Sequence, residues 1–265
     1  MTSGDGPRTG ALHLAASWLT VVPVPQPRSA PDGRDGTRVI AVVPVLGSII
    51  GTLTAAIGFG FGFTGLPHLV TGTLCVVFLA LISRGMHLDG LADTADGLGC
   101  YGAPERVRAV MRSGDVGPFG AATLVLALLL QAAAIGALAG DHRWFAIAFA
   151  VFLGRVTVVI ACRRGLPSAN PDGFGALVAG TQRRSVVVWV LLAAASAGGA
   201  GWLDPLAAEF SGSAAVRAVV VVAAVAAFAT VFTRHCARRI GGVSGDVLGA
   251  TLELSTTLAL VLLLL

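Results

Sequence analysis

The sequence has few charged residues and no lysine. Charged side chains make up 12% of the 265 residues, and all 18 basic residues are arginine. A soluble globular domain carries roughly 25% charged residues, so this chain has about half the charge that a soluble surface needs. Intrinsic disorder is excluded as well, because it requires low hydrophobicity, whereas 55% of this chain is hydrophobic. With a mean hydropathy of +0.84, the composition indicates an integral membrane protein.

Cysteine is also scarce, and its spacing excludes two kinds of site. The four cysteines are far apart and form no C-x-x-C pair, so we expect neither a disulfide framework nor a zinc site. The 35 glycines follow no triplet period, which excludes a collagen-like chain. No basic segment followed by a small-residue cleavage site opens the sequence, so a removable signal peptide is not expected.

Long apolar runs dominate the rest of the chain. A membrane-spanning helix needs about 20 largely apolar residues, and seven stretches meet or nearly meet that length. The runs are continuous and rich in Ala and Leu, which favours helices over the alternating strands of a membrane barrel. We therefore predict an all-α fold, a polytopic integral membrane helix bundle with about seven transmembrane helices. The predicted spans are Val39–Phe63, Leu66–Ser83, Val116–Gly140, Trp144–Cys162, Ser185–Leu203, Ser211–Thr233 and Val247–Leu265.

The N-terminal region differs from these spans. Residues 10–22 are apolar but too short to cross a bilayer, and Pro23 and Pro25 follow them. We predict a short interfacial or partly inserted helix there. Residues 1–38 then form an N-terminal segment and residues 39–265 the transmembrane bundle, together a single domain over residues 1–265.

The arginines alternate between the predicted loops. Fifteen of the 18 lie in the N-terminal region or in the three loops 84–115, 163–184 and 234–246. Because positive charge accumulates on the cytoplasmic side, we predict a multi-pass cell-membrane protein whose N-terminus and long loops face the cytoplasm and whose C-terminus lies outside. The net charge of +4 then reflects membrane orientation, and no nucleic-acid partner is expected.

The most informative segment is RGMHLDGLADTADGLG, residues 84–99. Asp89, Asp93 and Asp96 are spaced i, i+4 and i+7, which places them on one face of a helix. Carboxylates stacked in this way repel one another unless a counter-charge is present, and oxygen ligands favour Mg²⁺ or Mn²⁺. The alternative is a solvated acidic helix end paired with loop arginines. Charges that continue an apolar span are usually functional, which favours a metal–phosphate site. His87 is a candidate ligand, base or headgroup contact.

Other charges lie within predicted spans. Arg155 is in the middle of the fourth span and is predicted either to form a buried ion pair or to bind phosphate through its guanidinium fork. Asp246 and Glu253 are seven residues apart on one face of the last span. Glu253 is a candidate general base, second metal ligand or partner of Arg155. The nearby Gly242 and Gly245 indicate either an anion-binding backbone or tight helix packing.

Two loop segments leave alternatives open. The segment RSGDVGPFG, residues 112–120, is typical of a loop entering a helix, in which Asp115 is either an N-terminal cap or a further site carboxylate. The glycine-rich segment 171–180 is either a substrate flap or an ordinary turn. Metal-dependent phosphoryl or phosphodiester transfer fits these residues, as does transport with Asp and Arg as coupling groups. The position of the acidic cluster at the end of a span favours the enzyme.

Several motifs resemble those of the cobalamin synthase family, the adenosylcobinamide-GDP ribazoletransferases. The strings MHLDGLADTADG (86–97) and GGVSGDVLGATLE (241–253) are similar to its signature and its ending. VVPVPQP (21–27), VMRSGDVGPFG (110–120) and the GR pair at 154–155 match further elements in the expected order. One departure is Ser113-Gly114, where the family often has Asp-Ser after Met-Arg.

The resemblance implies a reaction and an assignment of residues. Adenosylcobinamide-GDP and α-ribazole, or its 5′-phosphate, would give adenosylcobalamin, or its phosphate, and GMP. Asp89, Asp93 and Asp96 would hold Mg²⁺ on the diphosphate. The predicted phosphate-binding residues are Arg155, Arg112, Gly242 and Gly245, and the predicted catalytic residues are Asp246, Glu253 and His87. Partners would include membrane lipid, and association with other enzymes of the pathway is also open.

Two alternatives belong to other families. A CDP-alcohol phosphotransferase also uses clustered aspartates on membrane helices, but its D-G-x-x-A-R pattern fails here because Asp93 follows Ala92 where Arg should stand. The other alternative is a small-solute membrane transporter.

Overall fold

The computed structural model describes residues 10–25, 30–197 and 212–265, with side chains in the last range described from residue 216. These residues form eleven helices and no strand, which confirms the predicted all-α membrane fold. The helices are α1 Ala11–Leu19, α2 Gly33–Phe61, α3 His68–Ile82, α4 Met86–Gly99, α5 Pro104–Met111, α6 Pro118–Gly140, α7 Trp144–Ala161, α8 Gly173–Val178, α9 Arg184–Ala197, α10 Gly212–Ile240 and α11 Gly245–Leu264.

The number of membrane-spanning helices differs from the predicted seven. Within the described residues, α2, α6, α7, α10 and α11 are long and apolar enough to cross a membrane. A sixth span results only if α3 and α4, which meet at 91°, count as one. Helix α9 is apolar but has 14 residues, and residues 198–203 of its predicted span lie outside the described residues. The structure therefore supports a multi-pass protein with five or six such helices.

Helix α2 begins six residues before the predicted span. Asp32 caps it, because its carboxylate Oδ1 accepts hydrogen bonds from the backbone N–H groups of Arg34 and Asp35, both at 2.8 Å. The Asp32 backbone N–H donates a longer hydrogen bond, at 3.4 Å, to the Asp35 Oδ2, which completes a capping box. The cap makes the polar residues 33–38 helical, so the N-terminal segment passes directly into the bundle.

A sharp corner separates α3 from α4. Arg84 and Gly85 both adopt left-handed backbone conformations, with φ of 55° and 70°. The Arg84 guanidinium donates to the Trp18 carbonyl at 3.0 Å, and the Val21 N–H donates to the Ile82 carbonyl at 2.9 Å. A helix is present within the predicted N-terminal stretch 10–22, as α1, and hydrogen bonds join its end to the corner at which α4 begins.

Helix α7 lies at the centre of the bundle, and nearly all of its residues are buried. It packs against α2 and α11, and α3 packs against α6. Glycines allow these close approaches: Gly51 of α2 lies against the Ala148 carbonyl, and Gly72 of α3 lies against the Ala132 carbonyl. Small residues at helix contacts are the usual means of close packing in membranes.

Two loops join at the end of the bundle that carries α4. The Val243 N–H donates to the Pro167 carbonyl at 2.9 Å, and the Ala169 N–H donates to the Val243 carbonyl at 3.1 Å. Gly175 of α8 lies against the same Val243, where an added Cβ would be 2.8 Å from the carbonyl oxygen. These contacts hold α8 next to the start of α11.

Candidate active site

Helices α4 and α11 cross with their backbones in contact. A Cβ added to Gly90 of α4 would lie 2.8 Å from the Cα of Asp246, and one added to Gly249 of α11 would lie 3.1 Å from the Cα of His87. A side chain at either glycine would separate the helices. These two glycines therefore serve helix packing, and the crossing brings the acidic segment of α4 next to Asp246.

The crossing forms one side of a cavity of about 330 Å³. Its charged and titratable lining residues are His87, Asp89, Arg155 and Asp246, so with Gly245 five of the predicted site residues meet there. Gly245 and Gly249 also line it. The remaining lining is apolar and comes from six helices, through Trp18, Leu19, Ile40, Val43, Leu46, Ile50, Met86, Val158, Phe174, Leu248 and Leu252.

The carboxylates at the crossing form a group centred on Asp93. Asp93 is close enough to Asp89, Asp246 and Asp96 for their negative charges to repel its own. Asp246 is held by the Ser244 hydroxyl, which donates to its Oδ2 at 3.1 Å. Three carboxylates from α4 and one from α11 thus share a region of negative potential beside the cavity.

Asp96, predicted as a third metal ligand, is bonded to the start of α6. Its Oδ2 accepts from the Gly117 N–H at 2.8 Å, and its Oδ1 accepts from the Gly120 N–H at 2.9 Å. The side chain is buried, and a Cβ on either glycine would collide with it. Asp96 therefore satisfies N–H groups at the beginning of α6 that would otherwise have no partner.

The magnesium site stays a prediction. Among the described residues, no three or more His, Cys, Asp or Glu are arranged to hold a metal ion by themselves. Mg²⁺ usually takes one or two protein carboxylates and completes its shell with water and substrate phosphates. Asp89 and Asp93, with Asp246 beside them, provide oxygen donors of that kind, whereas both oxygens of Asp96 already accept hydrogen bonds.

Arg155 presents its guanidinium to the cavity from the centre of the bundle. The residue is 4% exposed, and Gly47 of α2 leaves room for its stem, since an added Cβ there would lie 2.8 Å from the Arg155 Cβ. Within the described part of the chain its one hydrogen bond is from Nη1 to the Val151 carbonyl at 3.3 Å. Glu253 attracts it electrostatically. Most of its N–H groups are therefore free to donate to an anion in the cavity.

A chain of polar side chains lies behind His87. The His87 Nδ1 is buried without a hydrogen-bond partner among the described residues, and it lies 3.9 Å from the Glu253 Oε1. The Glu253 Oε2 accepts a hydrogen bond from the Gln131 Nε2 at 2.9 Å, and the same Nε2 lies 3.0 Å from the Thr257 hydroxyl. The sequence interpretation missed Gln131. Its signal was a polar residue in the middle of an otherwise apolar span, which is costly unless it has a partner.

The other predicted phosphate-binding residues divide into two groups. Gly245 lines the cavity opposite Phe174. Arg112 lies outside the lining, and its Nη1 donates to the Asn170 side chain at 3.1 Å. Gly242 packs against the backbone of Ser168 and Ala169, where no side chain would fit. The segment 171–180, predicted as a flap or a turn, forms α8 and contributes Phe174 to the cavity.

Comparison with known proteins gives a consistent result. The model of the family described as Cobalamin-5-phosphate synthase matches residues 11–264. A protein named adenosylcobinamide-GDP ribazoletransferase from Corynebacterium efficiens is 37% identical over 98% of this chain and 94% of its own length. A protein of the same name from Frankia casuarinae is 36% identical over 95% of this chain and 93% of its own length. No solved structure matches the chain.

Proposed function

The chain belongs to the cobalamin-5-phosphate synthase family, an enzyme family of cobalamin biosynthesis, and we propose that it joins adenosylcobinamide-GDP to α-ribazole or its 5′-phosphate and releases GMP. The observation that supports this reaction best is the cavity at the crossing of α4 and α11. There Asp89 of α4 and Asp246 of α11 line the same small cavity as Arg155 of α7. Transfer at a diphosphate requires carboxylates that bind a metal ion and a positively charged side chain that binds the phosphate oxygens.

Asp89 and Asp93, with Asp246 beside them, would hold Mg²⁺ against the diphosphate. When bound, the ion supplies positive charge that offsets the negative charge of the phosphate oxygens in the transition state. Without that charge, the three carboxylates would repel both one another and the substrate.

Arg155 binds the oxygens of the phosphorus under attack. Its planar fork donates two parallel hydrogen bonds to a phosphate, and burial strengthens them because little water competes. Glu253 provides a nearby negative charge, so the guanidinium is partly compensated when the cavity contains no anion. Arg155 is therefore both a partner of Glu253 and a phosphate-binding residue.

The proton acceptor is the pair of His87 and Glu253. His87 lines the cavity, and Glu253 lies behind it at 3.9 Å, fixed by Gln131. The 3′-hydroxyl of the ribazole attacks the phosphorus on the cobinamide side, and its proton passes to His87. The new oxygen–phosphorus bond forms as the bond to GMP breaks, and GMP leaves with the electron pair. Glu253, at 3.9 Å, supplies the negative charge that the resulting imidazolium requires against burial and the nearby Arg155 guanidinium.

The test is product formation by the purified protein in lipid vesicles. Given adenosylcobinamide-GDP, α-ribazole and Mg²⁺, the protein should release GMP and form adenosylcobalamin in equal amounts. Omitting α-ribazole distinguishes this transfer from simple hydrolysis of the diphosphate. If neither product appears with Mg²⁺ or Mn²⁺, the proposed function is wrong. Uptake of a solute into sealed vesicles without cleavage would support a transporter instead.

A further inference from the structure

The part of the cavity wall that α2 forms is apolar. Helix α2 contributes Ile40, Val43, Leu46 and Ile50, which recur every three or four residues on one face. At 1.5 Å per residue, this face extends about 15 Å along the helix axis. Such a surface gains free energy by covering apolar groups and offers no partner to polar ones.

Other apolar groups line the same cavity, including two aromatic rings from outside the long helices. Trp18 of α1 and Phe174 of α8 form an edge-to-face pair with ring centroids 6.1 Å apart. Both line the cavity. Flat aromatic rings at a cavity wall are well suited to contact another aromatic ring.

The volume restricts what can enter. Sites for small molecules measure roughly 300–1,000 Å³, and this cavity, at about 330 Å³, is at the lower end. A corrin macrocycle with its side chains is far larger than a single nucleoside. The corrin must therefore remain outside, and one nucleoside is the largest part of either substrate that the cavity accommodates.

The two substrates offer two nucleosides, and their bases differ in polarity. Guanine carries several hydrogen-bond donors and acceptors, each of which would lose its water partners against this wall at a cost of about 1–3 kcal/mol. The base of α-ribazole, a dimethyl-substituted benzimidazole, is apolar apart from one ring nitrogen. It has no N–H once it is joined to ribose. The wall therefore matches the second base and not the first.

We propose that this apolar cavity binds the benzimidazole base of α-ribazole, with the ribose directed toward His87, Asp89, Arg155 and Asp246. The inference rests on the proposed function, because it assigns one of that reaction's two substrates to the cavity. It places the guanosine and the corrin of the other substrate outside, with only the diphosphate reaching the charged end. The cavity thus selects the benzimidazole base over guanine.

The first test places a larger side chain in the cavity by substituting a residue of α2. Val43 is 3% exposed and lines it, whereas Val45, two residues away on the same helix, is 36% exposed and outside the lining. Val43→Phe should raise the KM for α-ribazole by roughly tenfold or more, since a misfit of a few atoms in an apolar pocket costs that much. The KM for adenosylcobinamide-GDP should change less than twofold. Val45→Phe, the matched control, should leave both values unchanged.

A binding measurement keeps the inference testable if Val43→Phe lowers activity through misfolding. Free 5,6-dimethylbenzimidazole should bind the wild-type protein and compete with α-ribazole, and guanosine should do neither. Phe174→Leu, outside the long membrane helices, should weaken that binding without changing the KM for adenosylcobinamide-GDP.

Two other outcomes overturn the inference while leaving the proposed function standing. In both of them the wild type releases GMP. In the first, Val43→Phe and Val45→Phe have equal KM values for α-ribazole. In the second, Val43→Phe raises only the KM for adenosylcobinamide-GDP. Retention of a lipid acyl chain in the cavity that excludes the free base would likewise overturn the inference. Failure of the wild type to release GMP at all contradicts the proposed function itself.

Discussion

Gly90 of α4 lies directly against the backbone of Asp246 of α11, at a separation that leaves no space for a methyl group. This contact joins the two segments that carry the acidic side chains. Because helix α4 starts at a 91° corner, its position depends on the helices that it touches rather than on a straight continuation of α3. The site is therefore as sensitive to small residues as to charged ones.

Gly90→Ala should separate α4 from α11. The added Cβ would lie 2.8 Å from backbone atoms of Asp246, and overpacking of this kind costs roughly 1–3 kcal/mol. We expect a lower melting temperature in detergent and a larger loss of GMP release. Gly33→Ala is the matched control, because an added Cβ there meets nothing within 4 Å. Equal behaviour of the two variants would show that the contact does not position the site.

Asp96→Asn should affect stability more than chemistry. The carboxylate accepts two backbone N–H bonds at the start of α6, and an amide can accept with only one of its two terminal atoms. Loss of a helix-terminal acceptor costs roughly 0.5–2 kcal/mol, so the thermal unfolding temperature should fall while the Mg²⁺ dependence of turnover stays as in the wild type. If Asp96→Asn leaves stability unchanged but alters the Mg²⁺ dependence of turnover, Asp96 is a metal ligand.

Gln131→Leu should lower kcat while leaving the KM of both substrates nearly unchanged. Gln131 touches no cavity surface, and it acts by holding Glu253 behind His87. Removing it leaves a buried carboxylate oxygen without its donor, at a cost on the order of 1–3 kcal/mol, or roughly 10- to 100-fold in rate. Steady-state kinetics measure kcat and KM separately. Leu129→Met, on the exposed face of the same helix, is the control. A change confined to KM would argue against a positioning role.

Arg155→Lys keeps the positive charge but removes the planar guanidinium. Lysine is a point charge that cannot donate two parallel bonds to a phosphate, so kcat/KM for adenosylcobinamide-GDP should fall by about tenfold or more. Arg183→Lys, at an exposed loop position, should behave as the wild type. If the lysine variant at position 155 is fully active, Arg155 serves only as the partner of Glu253.

Composition and apolar run length predicted the fold class, because a chain with so few charges has no soluble alternative. The number of spans was not predictable in the same way. The corner at Arg84 and Gly85 comes directly after the predicted span Leu66–Ser83, and an arginine in a left-handed conformation has no strong sequence signal. Its stabilising contact is with Trp18, 66 residues away.

The candidate site was predictable in part for a similar reason. Asp89, Asp246, Arg155 and His87 are charged or titratable groups in or beside apolar spans, and this cost, the helical spacing and the family resemblance together identified them. Spacing on α4 also selected Asp96, and a helical repeat does not reveal that this carboxylate accepts hydrogen bonds from two backbone N–H groups more than 20 residues later. The apolar wall was hidden as well, since residues such as Val43 look like any other membrane-helix residue until the helices are assembled.

The central claim is that carboxylates at the crossing of α4 and α11 perform the chemistry, and Asp89 tests it most directly. GMP release should be compared for the wild type, Asp89→Asn and Asp115→Asn in the same vesicles, with insertion verified for each. Asp89 lines the cavity, whereas Asp115 is exposed outside it. Loss of several kcal/mol of charge stabilisation predicts a rate at least roughly 100-fold lower for Asp89→Asn and a change of less than twofold for Asp115→Asn. A fully inserted Asp89→Asn protein that releases GMP at the wild-type rate would contradict the account.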